Sequence, residues 1–151
     1  MQRRQLKNMR KIVILSFLIL GGLSTAQVAF ADCPQARKTM AAPAKFLKLK
    51  NPLPLNAENI RSGKKLFNGQ ARPIACATCH GIKGNGKEDP DFESTPSARD
   101  FTCTKTMEAL PDGQLFWIIK NGSNNTSMFA FSDLSDNQTW QLVHYIRQFS
   151  K

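Results

Sequence analysis

Cys76-Ala77-Thr78-Cys79-His80 is the stretch on which the reading of this chain turns. Two thiols three positions apart, with an imidazole directly after them, form the pattern that attaches haem covalently. The thiols add across the two vinyl groups of the porphyrin, and the histidine stands where it can ligate the iron from one side. Paired thiols have two other uses. A structural zinc site takes four ligands, usually as two pairs, and outside the pentapeptide the chain offers only Cys33, Cys103 and His144, each alone. A redox dithiol sits at a strand-to-helix junction of a thioredoxin-like unit, whereas the run 70–75 here is short, holds Pro73 and follows a helical pattern. The pentapeptide therefore favours haem.

Working outward, residues 1–31 read as a secretory signal. Arg3, Arg4, Lys7, Arg10 and Lys11 form a basic start, residues 12–20 are apolar but for Ser16, and Ala29-Phe30-Ala31 supplies small residues for a signal peptidase. The apolar run is shorter than the roughly 20 residues a transmembrane helix needs. A retained anchor is the alternative, and Arg3-Arg4 also resembles a twin-arginine signal. Processing after Ala31 removes five of the 21 basic residues and none of the 11 acidic ones, leaving 16 against 11 and a net charge of +5. That modest charge excludes a nucleic-acid binder's footprint, and the processed chain is expected to have no stable membrane insertion. Lys45, Lys48, Lys50, Lys64, Lys65, Lys83 and Lys87 lie before and around the motif. They suit an acidic redox partner, or are simply solvated. Export places the chain in an oxidising periplasm, where the leftover Cys33 and Cys103 pair as a disulfide. An intermolecular bridge, free thiols and lipidation of Cys33 are the alternatives.

Along the processed chain, residues 32–55 carry Pro34, Pro43, Pro52 and Pro54 and read as an extended arm wrapping a haem domain of residues 56–151. Asn56 is a good cap for a first helix reaching about Phe67 and stopping before Gly69. Ile60, Gly63, Lys64 and Phe67 share one face of it, so Gly63 allows close approach of another helix. The motif follows on a short helical turn, then a long loop, 81–101, of a length that needs something to fill the space beside it. A second helix runs from about Pro111 to the stop at Asn121-Gly122. A last one begins at Ser135, with Gln138 three positions on as in a capping box. No sustained alternation marks a strand, and the fold class is all-α.

These segments, in this order over residues 56–150, resemble the class I c-type cytochromes, the small soluble monohaem carriers. The resemblance rests on Gly63-Lys64-Lys65-Leu66-Phe67, the pentapeptide with Gly81, Ala98-Arg99-Asp100-Phe101, Asp112 to Gly122, a methionine loop, and Trp140 with Tyr145-Ile146-Arg147. It implies one haem c attached through Cys76 and Cys79, His80 as one axial ligand, and a crossing of the first and last helices at Gly63 and Tyr145. The second axial ligand it implies is the methionine of the loop before the last helix, Met128. Phe129 stands where such chains carry proline, so the loop lacks one fixed φ. Met107 reads as a packing residue, Met40 lies in the arm, and His144 reads as a surface or partly packed residue. The resemblance also implies that a proline-bearing stretch after the motif, at Pro90 or Pro96, supplies the carbonyl for the His80 Nδ1 hydrogen, Pro96 sitting better against Ala98-Arg99-Asp100-Phe101. Arg99 or Asn124 is expected to touch a propionate or the sulfur. Phe101, Phe116, Trp117, Phe129 and Phe131 are expected to wall the haem.

Two strong axial ligands leave no open position for O₂ or substrate, which suits a one-electron carrier rather than an oxygen-activating enzyme. The expected function is electron transfer between redox protein partners in the periplasm, and the chain is not itself an enzyme. A haem subunit of a periplasmic dehydrogenase or sulfur-oxidising complex is the alternative. A gas sensor is a third, and it needs Met128 off the iron.

Overall fold

The computed structural model describes Cys33, Gln35, residues 39–87 and residues 89–151, and every regular element among them is helical. The all-α expectation holds. The proposed signal, residues 1–31, lies outside the described residues.

Within the unit Asp32–Lys151, a helical turn α1 (Ala44–Leu47) precedes α2 (Ala57–Lys65), which a π-helical stretch, Leu66–Gln70, prolongs to a kink at Gly69. α3 (Cys76–His80), α4 (Thr104–Glu108), α5 (Asp112–Asn121) and α6 (Asp136–Ile146) follow. Caps explain where the helices begin. Asn56 Oδ1 accepts the Asn59 N–H at 2.9 Å at the head of α2. Ser135 and Gln138 close on each other at the head of α6, each side chain accepting the other's backbone N–H, at 3.2 and 2.9 Å. Such reciprocal caps satisfy two backbone donors that a helix start leaves open.

α2 and α6 make the most extensive helix contact, and Gly63 is the reason. A Cβ at Gly63 would lie 2.1 Å from the Gln141 carbonyl oxygen and 2.9 Å from Tyr145 Cβ. Only a residue without a side chain lets the two backbones approach so closely, and the expected pairing of Gly63 with Tyr145 is thus present. The Tyr145 ring packs edge-on to Phe67 at 5.4 Å and Phe149 at 5.0 Å. Burial holds its hydroxyl above the ordinary value, while the Asn68 side chain pulls the other way. Phe67, Met107, Thr139, Leu142 and Val143 are sealed in the core, so Met107 is the packing residue the sequence suggested.

The arm differs from expectation in part. It is not extended throughout, because α1 forms a turn between Pro43 and Lys48 and seats against α5. Gly113 makes this possible, since a Cβ there would meet the Phe46 carbonyl oxygen at 1.7 Å. The Gln114 side chain ties the same region, accepting the Ala42 N–H at 2.7 Å and donating to the Met40 carbonyl at 3.1 Å. Farther along, Asn51 Nδ2 donates to the Trp140 carbonyl at 2.8 Å. Cys33 and Cys103 are joined by a disulfide with Cα atoms 5.7 Å apart, within the usual range for such bridges. His144 also departs from its sequence reading. It is buried, with Nε2 2.9 Å from the Leu53 carbonyl oxygen, so that nitrogen carries the proton and serves the arm rather than a metal. Among the described residues no helix is long and apolar enough to cross a membrane.

Candidate functional site

α3 places the pentapeptide's side chains by simple periodicity. Residues three and four apart share a helix face, so Cys76, Cys79 and His80 fall together, and all three line one cavity. Met128, from the loop between α5 and α6, lines the same cavity. The four residues singled out in the sequence are therefore brought together, 48 positions of chain separating His80 from Met128. The cavity's empty volume is about 1130 Å³ with its open mouth included.

His80 is fixed from two directions. Its Nδ1 lies 3.0 Å from the Arg99 carbonyl oxygen. A carbonyl only accepts, so Nδ1 bears the hydrogen and Nε2 keeps a lone pair for a metal. Its ring stacks on Phe101 at 4.4 Å, and Phe101 in turn stacks on Phe149. The acceptor lies in the stretch after Pro96, three residues beyond the proline, and not near Pro90. Pro90 is exposed. Pro96 lines the cavity. The backbone of 98–101 is set there by the facing loop, where the Phe101 N–H donates to the Gly84 carbonyl at 2.7 Å.

Met128 is held mainly by backbone bonds. Its N–H donates to Thr126 Oγ1 at 3.1 Å, and its carbonyl accepts the Ser123 N–H at 3.1 Å. One residue earlier, Ser127 pairs with Thr95, its N–H donating to the Thr95 carbonyl at 3.1 Å and its Oγ accepting the Thr95 N–H at 3.0 Å. Asn124 is exposed and does not line the cavity, whereas Arg99 does, with its guanidinium donating to Thr39 Oγ1.

The cavity wall is mainly apolar, with Phe67, Phe101, Leu115, Ile118, Phe129 and Phe131 among its residues. Phe101, Phe129 and Phe131 were expected there; Phe116 and Trp117 were too, but neither lines it. At 3.6 residues per turn, Leu115 and Ile118 share the face of α5 that looks into the cavity. Phe116 turns instead into the core, stacked on Trp140 at 4.3 Å. Burial, with a lesser push from Cys79, raises the Cys76 thiol to about 12, so its sulfur stays uncharged near neutrality. Among the described residues no three His, Cys, Asp or Glu gather as a metal cluster. The donors facing the cavity are one imidazole nitrogen and one thioether, flanked by two thiols and apolar walls. That set fits an iron porphyrin, which brings four nitrogens of its own, carries vinyl groups for thiols, and needs a dry surround.

Residues 58–146 match the family model described as cytochrome c oxidase, cbb3-type, subunit III. No curated protein matches the chain. Among solved structures the chain is similar to one from the Kuenenia stuttgartiensis reducing HAO-like protein complex Kustc0457/Kustc0458. The identity is 26% and the TM-score 0.53, over 70% of this chain and 49% of that one. This chain thus spans about half the length of the chain it resembles.

Proposed function

We propose, from the premise that this chain belongs to the cytochrome c oxidase, cbb3-type, subunit III family and is a c-type cytochrome, that it is a one-electron carrier holding a single haem c. Cys76 and Cys79 would bond the group, and His80 and Met128 would ligate its iron. Haem c supplies a one-electron ferric/ferrous couple when bound. His80 presents Nε2 with its ring already oriented by the Arg99 carbonyl and Phe101. The Met128 thioether would favour the ferrous state of a bound haem. The apolar wall keeps water from the iron and so limits solvent rearrangement on transfer. The observation that supports this reading best is the convergence of Cys76, Cys79, His80 and Met128 on one cavity.

Residues 1–31 direct export to the periplasm in this reading, and the Cys33–Cys103 bridge suits that compartment. Electrons pass at the cavity mouth, where Phe129 lines the wall and is 47% exposed. Lys83 and Lys87, exposed on the loop that follows His80, favour a partner with an acidic docking face.

A second reading has support of its own. The similar structure belongs to a protein complex, and the match takes in only 49% of its chain, so the chain is alternatively the electron-accepting haem subunit of a larger redox assembly. Spectroscopy tests the common part. The purified chain is expected to carry the mass of one haem and, when oxidised, the weak far-red band of thioether–iron ligation. A colourless chain of bare polypeptide mass overturns the proposal. Size-exclusion of the native protein at moderate salt then separates a monomeric shuttle from a subunit that keeps a stoichiometric partner.

A further inference from the structure

The arm reaches the cavity's histidine through a single backbone carbonyl. The Cys33–Cys103 disulfide, spanning 70 residues of sequence, pins the start of the arm at the foot of the segment 98–101. Two residues later the Gln35 side chain brackets position 99. Its Nε2 donates to the Ala98 carbonyl at 3.3 Å, and its Oε1 accepts the Asp100 N–H at 2.8 Å. Between those two bonds lies Arg99, whose carbonyl oxygen receives the His80 Nδ1 hydrogen at 3.0 Å. The Arg99 side chain is also held by the arm, through Thr39. An amide that bonds the peptide groups on either side of one residue restricts rotation of both, and so restricts where that residue's carbonyl points.

Building on the assignment of His80 as an axial ligand, we propose that Gln35 is a positioning residue for that ligand. By bracketing Arg99 it sets the strength of the carbonyl bond to His80 Nδ1, and through it the reduction potential of the iron. The sign follows from the chemistry. A stronger bond at Nδ1 makes Nε2 a richer donor, which favours ferric iron and lowers the potential. Loosening the bracket weakens the bond and raises it. The facing loop also holds the segment, through the Phe101 bond to Gly84, so the effect is a shift rather than a loss of ligation.

The test uses the processed, haem-loaded protein. Gln35→Ala is expected to favour the reduced form by about threefold, seen as a rise of about 28 mV in a one-electron titration. The far-red sulfur band should stay, while the His80 Nδ1 hydrogen of the ferrous protein exchanges with solvent faster by NMR. The double substitution Cys33→Ser with Cys103→Ser, which frees the whole start of the arm, should raise the potential at least as much. Asn51→Ala serves as the comparison, because it loosens the arm at Trp140 without touching Arg99, and its potential should equal that of the native protein. An unmoved potential in Gln35→Ala overturns the proposal, as does an equal shift in Asn51→Ala, which would trace the effect to general loosening. A native protein with no far-red band removes the proposed function itself, and this proposal with it.

Discussion

The two flanks of the cavity are built differently. On the His80 side, a helix, an aromatic stack, a carbonyl bond and the arm behind that carbonyl all fix one ring. On the Met128 side, a loop with no regular structure is held by backbone bonds to Thr126 and Ser123 and by the Ser127–Thr95 pair. Constraints on the first flank are shared with the core, because Phe101 packs against Phe67 and Phe149, which also touch Tyr145 on α6. Those on the second are few and run from loop to loop, with Met128 only partly buried against the core. The histidine flank should therefore fail only when the whole domain fails, and the methionine flank should let go on its own.

The largest effect tests whether the histidine flank depends on the thioether links. Replacing both Cys76 and Cys79 by serine should abolish covalent haem, read as loss of the cofactor mass under denaturing conditions. Much of the filling of the cavity goes with it, and thermal unfolding should become broad. Next comes Phe101→Ala, which removes a buried ring from between His80 and Phe149. Large-to-small changes of this kind cost roughly 3–5 kcal/mol, and a denaturant titration should show that loss as one cooperative transition. Loss of the slowly exchanging His80 Nδ1 hydrogen by NMR well before the helices unfold would break the claim that this flank and the core are one unit. Met128→Ala should act on the other flank alone. Covalent haem and helix content stay, CO binds the ferrous form, and the potential falls by on the order of 100 mV, about 2.3 kcal/mol for one electron. Unchanged potential and no CO binding would remove Met128 from the iron. The smallest effect comes from Phe129→Pro, which adds the fixed φ the loop lacks. Where native geometry accepts it, such a change stabilises by about 0.4–1 kcal/mol. It should raise the temperature at which the far-red band is lost and leave the global midpoint nearly still.

The features legible in the sequence were those whose signal is local. The pentapeptide announces itself, the Ser135 capping box is written three residues apart, and Gly63 stands on the face of its helix that meets Tyr145. The segments they define fell into place as all-α. Features made by distant partners left no such mark. Every residue carries a carbonyl, so nothing in the side chain of Arg99 identifies its backbone oxygen as the acceptor for His80; the loop's path decides it. His144 reads as a surface or partly packed residue, and nothing local names Leu53, 91 positions away, as the acceptor of its hydrogen. Arg147 looks like an ordinary helix-end cation, yet it donates to Asp112 and to the carbonyls of Met107 and Leu110, joining the ends of α4, α5 and α6. α4 was missed because five residues carry too little periodicity to stand out from a loop. Phe116 and Trp117 were assigned to the cavity because aromatic content was weighed without the register of α5. Leu115 and Ile118, three apart, were the better signal.

Gly113 carries a consequence beyond its own helix. The Phe46 carbonyl occupies the place where any side chain at 113 would begin, so the turn of α1 and this glycine behave as two halves of one snap fastener. An engineer who transplants residues 33–55 onto another haem scaffold must carry the glycine along. A recipient with alanine there would receive the belt unbuckled.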